Sequence, residues 1–419
     1  MNKYFFLILL YLNLSFSQSP VFELLNSNQT GVEFNNLIED KKEHNILLYA
    51  NYYGGGGVGI ADFDNDGLQD IYFGGNLVSD VIYRNLGDFK FEDKTINSGI
   101  NDNGSWSSGV TIADVNNDGL VDVYVSKELY DDKPELRRNK LYINKGNFTF
   151  EESSKSWGVD VSARTRHAVF FDYNNDGHLD LYLLNQPPNP GSYSKFFGSD
   201  LTLPEYSLQL FRNTGSNSFI DVTEEAGLKR TGFPNSVVAS DLNNDGLVDL
   251  YVANDFEAPD FLYFNNGDGT FSYETESSLK HTSFYSMGVD SADINNDGEL
   301  DIMVVDMTAE DNFRLKSNMS GMNPSAFWKV VKDGGHFQYM FNTLQINNGD
   351  KTFSDVAQYT KTSSTDWSWA NLIADFDNDG LKDIYVTNGL LRDIRNTDAD
   401  KKVGEFVLKI ADDYVKKNK

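Results

Sequence analysis

One nine-residue pattern recurs six times along the chain and constrains its fold more than any other feature. The copies are DFDNDGLQD from Asp62, DVNNDGLVD from Asp114, DYNNDGHLD from Asp172, DLNNDGLVD from Asp241, DINNDGELD from Asp293 and DFDNDGLKD from Asp375. Each has Asp or Asn at positions one, three and five, Gly at six and Asp at nine. Oxygen-bearing side chains at alternate residues, followed by a residue that tolerates φ > 0, let the backbone coil around a hard cation. Ca2+, which takes about six to eight oxygen ligands, suits such a loop. The plainer alternative is a hairpin turn, since Asn, Asp and Gly are common turn formers. It leaves the ninth Asp, present in all six copies, without a reason.

The expected ligands are the side chains at one, three, five and nine and the backbone carbonyl at seven. They are Asp62, Asp64, Asp66, Leu68 and Asp70 in the first loop, and Asp114, Asn116, Asp118, Leu120 and Asp122 in the second. The third and fourth offer Asp172, Asn174, Asp176, His178 and Asp180, then Asp241, Asn243, Asp245, Leu247 and Asp249. The fifth and sixth offer Asp293, Asn295, Asp297, Glu299 and Asp301, then Asp375, Asp377, Asp379, Leu381 and Asp383. An EF-hand would end in a bidentate Glu at position twelve between two helices. Here the ninth Asp opens a run such as DIYFGG or DVYVS, and GVGIAD or GVTIAD precedes the loop. Those flanks are β-like, so each loop joins two strands.

The repeated unit is longer than its loop. Segments such as VIYRNLGDFKFEDKTINSGI and KLYINKGNFTFEESSKSWGV add a third strand, an Asn/Gly turn, a fourth strand and a polar exit. Successive loops start 52, 58, 69, 52 and 82 residues apart. Four-stranded units at such intervals predict an all-β fold, a β-propeller of four-stranded blades, with insertions where the interval is long. The 30 Phe and 22 Tyr suit the flat interfaces between blades. A net charge of −28 argues against a nucleic-acid partner and is concentrated in the loops.

Residues 1–17 have the form of a secretory signal peptide, with the basic start MNK, an apolar stretch from Tyr4 to Phe16, and small residues before Gln18. No other stretch reads as transmembrane. The chain has no cysteine, hence no disulfide. These features predict an exported protein, secreted or held in the cell envelope, where calcium is plentiful.

The units resemble FG-GAP/VCBS repeats, the calcium-loop blades of the integrin α-subunit head. They are similar also to bacterial secreted relatives of the cartilage acidic protein family, whose longer members carry an ASPIC/UnbV domain. The likeness runs from about Gly31 to Asn396. It is carried by TGVEFNN, NYYGGGGVGIADFDNDGLQDIYFGGN, AEDNFRLKSNMSGMN and TDWSWANLIADFDNDGLKDIYVTNG. It implies a seven-bladed propeller whose loop carboxylates bind calcium, whereas six loops are present here and no ASPIC/UnbV domain follows. The sixth unit also lacks the LYxNxG and FxD ending, and residues 396–419 read as a helix. FELLNSNQTGV from Phe22 looks like a fourth strand and its exit, comparable with FEDKTINSGI from Phe91. The expectation is therefore an incomplete ring whose remaining strands lie downstream of Lys419; a closed ring of six is the alternative.

Catalytic signatures are sparse. The five histidines are scattered, with no HExxH, no G-x-S-x-G and no Cys nucleophile. Gly54 to Gly57 precede a strand rather than a helix, which favours close strand packing near a channel over a phosphate cradle. Two insertions, 186–206 and 307–339, are rich in aromatics and would lie on a rim, either presented to a ligand or packed down on the blades as a lid, since exposed aromatic clusters are costly. The expected function is a calcium-binding adhesion or binding module for an extracellular glycan or exported protein. The alternative is a polysaccharide-processing enzyme with its site in the central channel.

Overall fold

The computed structural model describes residues 22–46, 48–49, 51–102, 104–187, 206–256, 258–317, 322–390 and 396–417. The predicted signal peptide and most of the 186–206 insertion lie outside them. The described residues form five four-stranded antiparallel blades and a sixth sheet of two strands. Blade one comprises Val58–Ala61, Asp70–Phe73, Val81–Asn85 and Phe91–Asp93; blade two Trp106–Ala113, Asp122–Glu128, Lys140–Asn144 and Phe150–Glu152. Blade three comprises Arg164–Phe171, Asp180–Gln186, Gln209–Asn213 and Phe219–Asp221; blade four Pro234–Ser240, Asp249–Asn254, Phe261–Asn265 and Phe271–Tyr273. Blade five comprises Val289–Ala292, Asp301–Val304, Thr343–Asn347 and Phe353–Asp355, and blade six Ser368–Ala374 and Asp383–Asn388.

The pairing register explains why the ninth Asp recurs. Each loop connects the first two strands of its blade, and position nine is always paired with the residue just before position one, as in Ala61↔Asp70, Ala113↔Asp122 and Ala374↔Asp383. The first strands neighbour one another in chain order and surround a channel of about 340 Å³ lined by residues of all six blades. Gly57 belongs to this lining. A Cβ there would lie 2.2 Å from the backbone nitrogen of Val110, so the glycine lets the first strands of blades one and two approach.

The core is a series of interfaces, one between each successive pair of described blades. Tyr124, Leu141 and Ile143 of blade two pack on Leu181, Leu183 and Phe211 of blade three. Tyr182, Leu184 and Leu210 then meet Val237, Leu250 and Val252 of blade four. Second strands, sandwiched on both sides, are buried throughout in blades two, three and four. Each fully buried Leu, Ile or Val there contributes about 1.5–3 kcal/mol. Exits after the fourth strands, read from sequence only as polar, are single helical turns at Ser154–Trp157, Thr275–Ser278 and Ala357–Thr360.

Blade six differs. Its second strand, with Tyr385, is largely exposed, as are Leu372 on its first strand and Val58 and Ile60 on blade one. Phe22 packs on Phe376 at 5.6 Å and on Tyr385 at 5.5 Å. Fourth-strand phenylalanines make the same contact with position two of the preceding loop: Phe150 with Phe63 at 5.8 Å, and Phe271 with Tyr173 at 6.4 Å. Phe22 lies in no regular strand but occupies a fourth-strand phenylalanine's place against loop six. The C-terminal helix spans Thr397–Lys417.

Candidate metal centres

All six loops adopt one conformation, and hydrogen bonds among the predicted ligands build it. The carboxylate at position one accepts from the N–H of position five at 3.0–3.1 Å and from the N–H of Gly six at 2.7–2.9 Å. Position five accepts from the N–H of position seven at 2.8–3.0 Å. The glycines have φ between 84° and 93°, in the left-handed region where a Cβ is unfavourable. The chain thus coils with its oxygens inward.

Position nine has a second task. One of its oxygens accepts from the N–H of position two at 2.9–3.1 Å in every loop. In blades one to five the other accepts, at 2.7–2.9 Å, from the backbone of a third-strand asparagine: Asn85, Asn144, Asn213, Asn265 or Asn347. Asp70, Asp122, Asp180, Asp249 and Asp301 are consequently buried. Burial pushes the carboxyls of Asp122, Asp180 and Asp249 up to about 7, against the backbone donors that lower them; the acids at positions one and five of the same loop add to the rise. Asp70 and Asp301 shift in the same direction for the same leading cause. A divalent cation beside such a group would displace its proton and remove the repulsion.

The donor set fits a hard cation. Carboxylate oxygens of Asp62, Asp64 and Asp70 lie within 4.8 Å of one another, as do those of Asp375, Asp377 and Asp383. In the other four loops position three is Asn, which offers a neutral oxygen. One oxygen of Asp64 is buried without a hydrogen-bond partner, and so are both polar atoms of the Asn243 side chain. Such groups are costly unless something coordinates them. At position seven the Leu68 and Leu381 side chains are exposed, in keeping with a ligand role for the carbonyl alone. His178, whose side chain a carbonyl-only role would leave free to face solvent, is half-buried instead, set against Gly215 with Nδ1 3.4 Å from the Asn117 amide.

Two sets of residues were missed from sequence. Arg84 reaches from the third strand of blade one to Asp64 at 2.8 Å and Asp66 at 3.0 Å, placing a cation beside the first loop. The LYxNxG asparagine, read only as a turn former, ties neighbouring blades together. The Asn144 amide donates to Val121 O of its own loop and to Phe63 O of the preceding one, and Asn213, Asn265 and Asn347 repeat the pattern. Its recurrence was the available signal.

A sequence profile described as FG-GAP-like repeat matches residues 45–125, 131–183, 201–252, 241–304 and 330–386. The chain belongs to the FG-GAP-like repeat family. Relatives of this FG-GAP-like protein include cartilage acidic protein 1 of Homo sapiens, 22% identical over 379 residues, and of Xenopus tropicalis, 24% identical over 380. Each alignment covers 80% of this chain and 56% or 57% of the relative, so the chain spans little more than half the relatives' length. A solved structure from Agrocybe aegerita, concerned with recognition of non-reducing terminal N-acetylglucosamine, aligns with a TM-score of 0.45 at 17% identity. It covers 78% of this chain and 73% of that one. A fructofuranosidase from Schwanniomyces occidentalis aligns with a TM-score of 0.35 at 11% identity over 81% and 62%.

Away from the loops, the insertion of blade five carries helices Asn312–Ser317 and Pro324–Lys332 and a short strand, Gln338–Tyr339, that pairs in parallel with Thr282–Ser283. Phe327 packs on Tyr339 at 5.6 Å, and Tyr339 stacks on Phe341 at 5.8 Å. Trp328 remains 53% exposed beside a groove of about 530 Å³ that Lys329 and Lys332 also line. At the channel, Arg166 pairs with the fully buried Glu128 at 3.4 Å. No described helix is long and apolar enough to cross a membrane.

Proposed function

We propose that this FG-GAP-like propeller is an exported, calcium-stabilised binding or adhesion module that contacts an extracellular glycan or another exported protein. The residues of each loop would hold the ion, which would supply charge neutralisation and a fixed loop geometry. The observation that carries the binding half is the blade-five insertion, where an exposed Trp328 stands beside two lysines on a base anchored by Phe327 and Tyr339. Trp is among the residues enriched at binding hot spots.

The alternative, a polysaccharide-processing enzyme with its site in the channel, has weaker support. Hydrolysis of glycosides commonly needs two facing carboxyl groups. The described residues lining the channel include Arg166 and His167 but no carboxylate. A glycan array and an affinity capture of exported proteins, each with and without Ca2+, test the proposal. Calcium-dependent retention of a glycan or a protein partner supports it; turnover of a bound polysaccharide would favour the alternative. A melting curve unchanged by EDTA would remove the calcium half, because an ion bound only by the native state must raise its stability.

A further inference from the structure

Position four of every loop is Asn, and all six of these residues adopt φ between 55° and 61°. Four of the six side chains also reach a neighbouring loop. The amide of Asn65 in loop one donates to the carbonyl of Gly119 in loop two at 3.0 Å. Asn117 in loop two donates to Gly177 O in loop three at 3.2 Å, and Asn296 in loop five to Gly380 O in loop six at 3.3 Å. Asn244 in loop four reaches the Glu299 carboxylate of loop five at 3.3 Å. Among the described residues Asn175 and Asn378 make no such bond.

The two ends of each strap sit where a bound ion would act. Position four lies between the ligand side chains at three and five. Gly six lies between the ligand at five and the carbonyl at seven. An ion that gathers one loop fixes the carbonyl its neighbour's asparagine needs, and an ion in that neighbour fixes the donor. Ordering one loop therefore lowers the entropic cost of ordering the next. The third-strand asparagines also join neighbouring loops, through the carbonyls of positions two and eight, but they are buried, and position two is already held by the ninth Asp, so they are less free to respond to an ion. The straps lie in the exposed loop tips.

Resting on the calcium reading, we propose that the strapped neighbours, loops one to three and loops five and six, bind Ca2+ as coupled sites rather than independently, with Asn65, Asn117 and Asn296 as the positioning residues that transmit the coupling between loops. Coupling of this kind is reciprocal, so it steepens the whole titration.

The test is a Ca2+ titration of the full chain, followed by calorimetry for binding and by near-ultraviolet circular dichroism for blade packing. Three proteins are compared: the natural sequence, the triple variant Asn65→Gly, Asn117→Gly, Asn296→Gly, and the control Asn175→Gly. Glycine keeps positive φ accessible, and the control makes the same change where no strap exists. Independent equal sites need about an 81-fold rise in free Ca2+ to pass from one-tenth to nine-tenths saturation. The natural chain and the control are expected to need roughly 10- to 30-fold, and the triple variant to approach the independent value. Saturable binding with an independent-site titration in the natural chain overturns the coupling and leaves the calcium reading standing. A triple variant as steep as the control does the same. Absence of any Ca2+ binding overturns both.

Discussion

Arg84 changes what the number of carboxylates in a loop implies. Loop one has four acidic side chains at the ligand positions and would be ranked among the tightest sites on that count, yet Arg84 pairs with two of them. The guanidinium is about one-third exposed, so the pair is worth at most about 1 kcal/mol. Without calcium it offsets repulsion among the acids; with calcium it competes. Arg84→Gln is therefore expected to lower the melting temperature in EDTA while tightening Ca2+ binding at loop one by roughly two- to fivefold, as read by isothermal titration. Asp260 allows a second prediction at this scale. It is buried, accepts from the Tyr251 hydroxyl at 2.8 Å and the Asn254 N–H at 2.8 Å, and burial pushes it up to about 7 despite those donors and Ser286; Asp306 adds a small rise. A carboxyl raised in the folded state favours folding below its unfolded value, near 3.8, and loses that contribution as pH climbs toward 7. In excess calcium, stability should fall between pH 5 and 7, by about 1–2 °C per unit from this group. Asp260→Asn should flatten that part of the slope in melting curves, whatever it does to the baseline.

The blade-five insertion separates anchoring from recognition within one element. Phe327 stacks on Tyr339 and Phe337, whereas its neighbour Trp328 is 53% exposed. Phe327→Ala should lower the melting temperature, since a buried aromatic truncation costs about 3–5 kcal/mol and a half-buried one less. Trp328→Ala should leave melting nearly unchanged and weaken partner capture at least tenfold. A large fall in melting for Trp328→Ala would make it a packing residue. From sequence, Phe327, Trp328 and Phe337 could not be sorted in this way, because the 3.6-residue period and three-dimensional contacts with Tyr339 decide it. The loops were legible for the opposite reason. Their chemistry is local, set by alternate oxygens and one Gly, and six copies reveal the pattern without a structure. The four-strand unit was legible too, from Val, Ile and Tyr runs at fixed offsets. Arg84 and the inter-blade role of Asn144 were not, because each acts on residues about 20 to 80 positions away, as Asn144 does on Phe63.

At the scale of the whole molecule, stability is expected to be graded around the ring. Blades two to four have second strands buried on both sides, while blade six has two strands and an exposed second strand among the described residues. Among the described residues no third-strand asparagine holds its Asp383, and position two is its backbone donor. Local opening follows such differences, since exposed hydrogen bonds and few apolar contacts lower its free energy. Amide hydrogen exchange should therefore be fastest in Asp383–Asn388 and slowest in Asp122–Glu128 and Asp180–Gln186. Phe22 packs on blade six through Phe376 and Tyr385. Ring contacts of this kind contribute about 0.5–1.5 kcal/mol, so Phe22→Ala should speed exchange in Asp383–Asn388 by roughly 2- to 10-fold. Blades two to four should be unaffected, because their interfaces do not include that ring. Equal protection of all six second strands, or a Phe22→Ala effect spread evenly over the chain, would show instead that the ring opens as a single cooperative unit and that Phe22 is not a local clamp.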